Sequence, residues 1–120
     1  MKQIIIIMSI FTTLFGCKGQ ENTNAKILSP EEFKSQIQNK TVQLIDVRTA
    51  KEFNEGNIKG AKNIDFFSPE FDKEFSKLDK DKPIYLYCRS GARSQKSANK
   101  LVKMGFQEIY DLKGGFLNWK

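Results

Sequence analysis

The chain has 120 residues, room for one compact domain and not for two, and a hydrophobic share of 39% with 10 Phe is enough to build a core. Its 20 basic and 14 acidic side chains give a formal charge of +6, but the lysines are scattered rather than gathered into a stripe, which speaks against a nucleic-acid surface. Histidine is absent and only Cys17 and Cys88 carry thiols, which excludes Cys–His and Ser–His catalytic pairs, a disulfide framework and a cysteine-rich metal site.

The first stretch, "MKQIIIIMSIFTTLFGCKGQ", places one cation, Lys2, before an apolar run from Ile4 to Phe15, then Gly16 and Cys17. A positive start, a short apolar run and a small residue are the parts of a secretory signal, and the run is too short to span a bilayer. "LFGC" resembles the lipobox of bacterial lipoproteins, although Phe15 is bulkier than the residue usual there. That resemblance implies a signal peptide over 1–16, a lipidated Cys17, and an envelope protein anchored to the membrane and facing the periplasm or the cell exterior. The alternatives are a buried amphipathic helix, or an ordinary cleaved signal that leaves Cys17 free. The polar residues behind Cys17, to residue 26, read as a tether, with the domain over 27–120. An acylated Cys17 leaves Cys88 as the sole thiol.

Beyond the tether, strands alternate with helices. "SPEEF" offers Ser29 as N-cap, Pro30 at the first helical position and Glu32 to complete a capping box. "TVQLIDV" (41–47) is apolar and β-branched, as a buried strand should be. "TAKEF" reads as a helical turn, and two glycines frame a turn ahead of a short strand at 62–64. Phe71, Phe75 and Leu78 form one helical stripe, "PIYLYC" (83–88) a strand, and 93–104 a helix with Ala98, Leu101 and Val102 inward and Gly105 as its stop. "EIYDL" (108–112) is a further strand, and "GGFLNW" opens a last helical segment. The alternation predicts an α/β fold, an open, mostly parallel sheet with helices on both faces, whose sites form beyond the carboxyl ends of the strands.

Cys88 falls at such an end, followed by "RSGARS". A loop that leaves a central strand for a helix can aim backbone N–H groups and the helix dipole at one spot, making an anion cradle. A thiolate at its base would be stabilised and nucleophilic at neutral pH without a general base. Ser90 and Gly91 let the backbone curl, while Arg89 and Arg93 add charge for an anionic substrate. The competing reading is a buried structural cysteine, which a following cation, hydroxyl and glycine make the poorer fit.

"LIDVRTAKEFNEGNIKGAKNI", "YLYCRSGARS" and "LKGGFLNW", in that order, resemble the rhodanese homology domain over about residues 27–119. The resemblance implies a five-stranded sheet and a catalytic, persulfide-carrying Cys88, with Arg89, Ser90, Gly91, Ala92 and Arg93 completing the active loop. It implies that Asp46 and Arg48 brace that loop and pair with Glu52, and that Gly114, Gly115 and Trp119 are structural. The family's usual histidine is replaced by Asn57, which can bond a turn but cannot titrate.

Related phosphatases and arsenate reductases use a longer loop, whereas only four residues separate Cys88 from Arg93. The narrower ring fits one outer sulfur atom better than a tetrahedral oxyanion. The expected activity is therefore sulfur transfer from thiosulfate or a persulfide donor to a thiophilic acceptor, either cyanide or a thiol that a protein could supply. The implied partners are these donors and acceptors and, through Cys17, a membrane, with no metal, organic cofactor or nucleic acid. The alternatives are a phosphatase or arsenate reductase of the same fold, or a non-catalytic sulfur-sensing or partner-binding module.

Overall fold

The computed structural model describes residues 25–119; the expected signal peptide, Cys17 and most of the tether lie outside that range. Five strands form one sheet: β1 (Ala25–Leu28), β2 (Gln43–Asp46), β3 (Lys62–Asn63), β4 (Ile84–Tyr87) and β5 (Ile109–Leu112). Four helices, α1 (Pro30–Ile37), α2 (Ala50–Glu55), α3 (Phe71–Ser76) and α4 (Ala92–Met104), alternate with them, and a 3-10 turn spans Phe116–Asn118. The strand order is β1-β5-β4-β2-β3, and every pairing is parallel.

Local chemistry accounts for the boundaries. Ser29 Oγ accepts from the Glu32 N–H, and Glu32 Oε1 accepts from the Ser29 N–H, both at 3.1 Å, so two orphan donors of α1 are satisfied reciprocally. Thr49 and Glu52 build the same device at the start of α2, with bonds of 3.0 and 3.2 Å. At the far end of α4, Gly105 adopts φ 101° and the Phe106 N–H reaches back to the Leu101 carbonyl at 3.0 Å, so the expected helix stop is a left-handed glycine cap.

Period two divides the buried strands between two cores. Ile84, Leu86 and Cys88 join Ile45, Val47 and Ile109 beneath α3 and α4, where Phe71, Phe75, Ala98 and Leu101 cover them. Tyr85 and Tyr87 face the other way, to Leu28, Leu44 and Leu112 under Phe33 of α1, with Phe116 and Trp119 packed against them. Helices thus cover both faces, as expected. The strand β1 went unread in the sequence and takes in Ala25 and Lys26, the last two residues of the stretch assigned to the tether. Lying at the sheet edge with Ile27 exposed, it lacks the apolar alternation that marks the inner strands. Leu78 lies past the end of α3 but still packs on the first core.

Candidate active site

Strand β4 ends at Tyr87, and α4 starts at Ala92. Cys88 therefore sits at the carboxyl end of a central strand, and Ala92 and Arg93, expected in the loop, belong to the first turn of the helix. Cys88 is 1% exposed, and its Sγ accepts a hydrogen bond from the Gly91 N–H at 3.0 Å. Gly91 reaches this position with φ 122°, a backbone region that side-chain-bearing residues rarely adopt, although a Cβ there would meet open space. The Ser94 hydroxyl lies 3.4 Å from Sγ and donates to the Gly91 carbonyl at 3.1 Å. Ala92, Arg93 and Ser94 turn the first amides of α4 toward the same end, and no side chain caps that helix.

The segment after β5 fixes the outer side of the loop. Phe116 N–H donates to the Cys88 carbonyl at 2.8 Å, and Leu117 N–H to the Arg89 carbonyl at 3.1 Å. With both carbonyls drawn away from the sulfur, the Gly91 N–H is the backbone donor that reaches it. Gly115 makes this approach possible: φ is 65°, and a Cβ would lie 2.5 Å from the Arg89 carbonyl carbon and oxygen and 2.7 Å from the Cys88 oxygen. Gly115 thus packs directly on the backbone of the Cys88 loop, while a Cβ at Gly114 would meet the Asn118 side chain at 2.9 Å.

Asp46 and Arg48 form a buried ion pair, with Arg48 Nε 3.0 Å from each carboxylate oxygen and Nη2 2.6 Å from Oδ2. Arg48 Nη2 also donates to the Gly56 carbonyl at 2.6 Å, and its guanidinium carbon stands 4.4 Å from the Phe116 ring centre. The pair thus packs through Arg48 on the side chain of Phe116, the residue whose backbone N–H donates to the Cys88 carbonyl. Tyr87 completes this layer, stacked on Phe116 and accepting from the Ile58 N–H at 3.0 Å.

The expected pairing of Asp46 and Arg48 with Glu52 is corrected. Glu52 receives both ends of Arg93, at 2.8 and 3.0 Å. Arg93 and the Thr49 cap, working against partial burial, hold the Glu52 carboxyl down at about 2. Arg48 lies on the Tyr87 side of the sheet and has Asp46 at hand, whereas Arg93 projects from α4 toward α2. The loop cation without an ionic partner among the described residues is Arg89, which is exposed. Asn57, at the family's histidine position, donates from Nδ2 to the Phe53 carbonyl at 2.9 Å and so closes α2.

Two residues went unnoticed in the sequence. Ser94, given no role in the sequence, is fully buried beside the sulfur. Asp111 is 3% exposed on β5, on the same face as Ile109 and Cys88, and its Oδ1 has no partner. Burial pushes its carboxyl up to about 6, against a smaller opposing pull from Ser94. An acid inside "EIYDL" was the available signal. The sign of its effect on stability follows from this shift. The folded value exceeds the unfolded 3.8, so the folded state is penalised as pH rises through that window. Asp111→Asn should gain on the natural protein by about 3 kcal/mol between pH 4 and pH 7. Urea titrations of both proteins across that range measure the difference.

A groove of about 710 Å³ between α1, Thr41–Leu44 and Ile58–Gly60 lies on the Tyr87 side and includes no residue of the active loop.

The Rhodanese-like domain family model matches residues 29–120. The uncharacterized protein YqhL of Bacillus subtilis is 44% identical over 116 residues, covering 97% of this chain and 89% of that protein. Thiosulfate sulfurtransferase GlpE of Shewanella oneidensis is 34% identical over 94 residues, covering 78% of this chain and 91% of its own length. The tRNA uridine(34) hydroxylase of Pelagibacter ubique is 36% identical across 84% of this chain, which spans only 34% of that protein. Among solved structures, a rhodanese-like domain protein from Staphylococcus aureus superposes with a TM-score of 0.70 at 29% identity, covering 79% of this chain and 91% of that one. The chain belongs to the rhodanese-like domain family.

Proposed function

We propose that the protein is a sulfurtransferase that carries a sulfane sulfur as a persulfide on Cys88. The observation that carries this reading is the sulfur's position, at the mouth of α4 with the Gly91 N–H 3.0 Å away and the loop carbonyls tied to Phe116 and Leu117. The likeness to GlpE, a thiosulfate sulfurtransferase matched over most of its length, supports the same reading.

In the first half-reaction, the Cys88 thiolate attacks the outer sulfur of a donor. With thiosulfate, an S–S bond forms to Cys88 as the donor's S–S bond breaks, and the electron pair leaves with sulfite. The product is a Cys88 persulfide anion, whose charge the loop N–H groups and the start of α4 stabilise. In the second half-reaction, cyanide or a thiol attacks the outer sulfur, and the electron pair returns to Cys88 as thiolate. Arg89 draws the anionic donor, because Arg93 is engaged by Glu52. The early entry into α4 at Ala92 leaves a small ring, suited to one sulfur atom rather than a phosphate group.

The discriminating experiment gives the purified protein thiosulfate and cyanide in one arm and a chromogenic phosphate ester in the other. The proposal predicts thiocyanate formation that falls at least a thousandfold in Cys88→Ser, and no phosphate release. Phosphate release without thiocyanate would assign a phosphatase, and inactivity in both arms a binding module. For location we keep the lipoprotein proposal, with Cys17 acylated and the domain held at the cell envelope. Its support is the order of Lys2, the apolar run, Gly16 and Cys17, and its test is the mass of the protein extracted from native membranes.

A further inference from the structure

We infer that Glu52 decides which donors Cys88 accepts: by neutralising Arg93 it leaves the active loop one free cation, which favours an organic persulfide over a small dianion such as thiosulfate. The inference rests on the sulfur transfer proposed above and names the donor class for it.

In sequence, Arg93 stands between Gly91, whose N–H donates to Sγ at 3.0 Å, and Ser94, whose hydroxyl lies 3.4 Å from it. An unpaired guanidinium there would add a full positive charge to the rim of the sulfur site. Instead Glu52 takes both ends of it, Nη1 at 2.8 Å and Nη2 at 3.0 Å, the strong bidentate form of such a pair. Glu52 is fixed from its other side as well, because the Thr49 N–H and hydroxyl each donate to Oε1 at 3.0 Å. The two side chains are 20% and 25% exposed, so water screens them less than a surface pair. Arg93 holds the Glu52 carboxyl down at about 2, and the acid stays charged throughout the neutral range.

The remaining charges at this end are few. Arg48 is matched by Asp46 and Arg93 by Glu52, and Arg89 is the exposed loop cation without an ionic partner among the described residues. A dianion gains from every free cation its site offers, since each attraction scales with the product of the charges. One exposed guanidinium gives thiosulfate little advantage over a donor of lower charge.

Apolar surface at the same end suits an organic body. Every strand is parallel, so the segments after β3 and β5 open at the end where Cys88 sits. Two of the three exposed large hydrophobics among the described residues lie in those segments, Phe67 after β3 and Leu117 after β5. Leu117 lies against the loop itself, its N–H on the Arg89 carbonyl at 3.1 Å. Thiosulfate cannot cover such surface, whereas the carbon skeleton of a persulfide can.

The step balances without a further reactant. The Cys88 thiolate attacks the outer sulfur of R–S–SH and a new S–S bond forms. The donor's S–S bond breaks, its electron pair leaves with the thiolate of R, and the proton stays on the outer sulfur. Glu52 acts through Arg93 and is a positioning residue.

The test compares iodoacetate, an anion, with iodoacetamide, its neutral analogue, as alkylating agents for Cys88 in the full chain. The ratio of the two rates reads the charge around the sulfur, and any change in thiolate fraction cancels. Glu52→Gln removes the charge and keeps the cap of α2, since glutamine serves there as glutamate does. The iodoacetate-to-iodoacetamide ratio should rise at least about threefold, and the rise should fade at high salt. Arg93→Gln should lower the ratio, and it carries the test should Glu52→Gln fail to fold. In the natural protein, kcat/KM for the persulfide of 2-mercaptoethanol should exceed that for thiosulfate by about tenfold. Glu52→Gln should narrow that gap through the KM for thiosulfate. A persulfidated cysteine peptide in a parallel arm tells a polypeptide donor from a small one, and turnover of either supports the class. Ratios equal in the natural protein and both variants would overturn the inference, as would a natural protein that prefers thiosulfate. Transfer from neither donor would count against the proposed function, while the alkylation ratios, which need no donor, still decide whether Glu52 screens the sulfur.

Discussion

Gly115→Ala is expected to be among the most damaging single-methyl changes in the domain. The new Cβ would fall 2.5 Å from the Arg89 carbonyl carbon and oxygen, and those atoms are backbone, so no flexible tip can swing aside. The residue also holds φ 65°, which adds about 1–2 kcal/mol for any residue with a Cβ. Relief requires the closing segment to lift, which breaks the bonds from Phe116 and Leu117 to the Cys88 and Arg89 carbonyls. Together these effects should remove about 3–4 kcal/mol of stability. What survives folded should have a displaced active loop and lose at least about a hundredfold in activity, since a shift on the order of 1 Å at a reacting group has that effect. Denaturant titration and thiocyanate assay on the same preparation separate the two losses. Full activity in Gly115→Ala would show that the closing segment does not set the loop.

Arg48→Met should be as severe by a different route. Asp46 is fully buried, and removing its partner strands a carboxylate in the core, a change that typically costs about 3–5 kcal/mol. Against a total stability on the order of 5–15 kcal/mol, that moves the melting temperature down by more than about 10 °C. Phe116 also loses the guanidinium it packs on, so turnover by the remaining folded protein should fall. Replacing both partners, as Asp46→Leu with Arg48→Met, should recover most of the stability, because no charge is then left unpaired. A double variant no more stable than Arg48→Met alone would contradict this account of the pair.

Most of what places Cys88 was legible from residue order. The apolar run from Ile84 to Tyr87 reads as an inner strand, and the small and basic residues after Cys88 mark its exit into a helix. Ser29 with Glu32, and Gly105, carry their own chemistry as caps, so their roles could be named at once. Thr49 with Glu52 shows the same spacing, and a stricter reading would have found it. Other features depend on distance in space rather than in sequence. Glu52 meets Arg93 across 41 positions, and nothing local distinguishes that partner from Arg48. The β1 strand is short, polar at one side and at an edge, so its order comes from β5 rather than from itself. Asp111 was visible as an acid among apolar neighbours, but its nearness to Ser94 and Cys88 follows from strand register.

The central claim is that Cys88 can hold a second sulfur under its ring of donors. Intact-mass measurement of the purified protein, before and after brief incubation with thiosulfate, tests it directly. The account predicts a gain of one sulfur atom, located on the peptide containing Cys88, lost again on adding cyanide and absent from Cys88→Ser. A folded natural protein whose mass stays unchanged after exposure to thiosulfate and to a low-molecular-weight persulfide would contradict it.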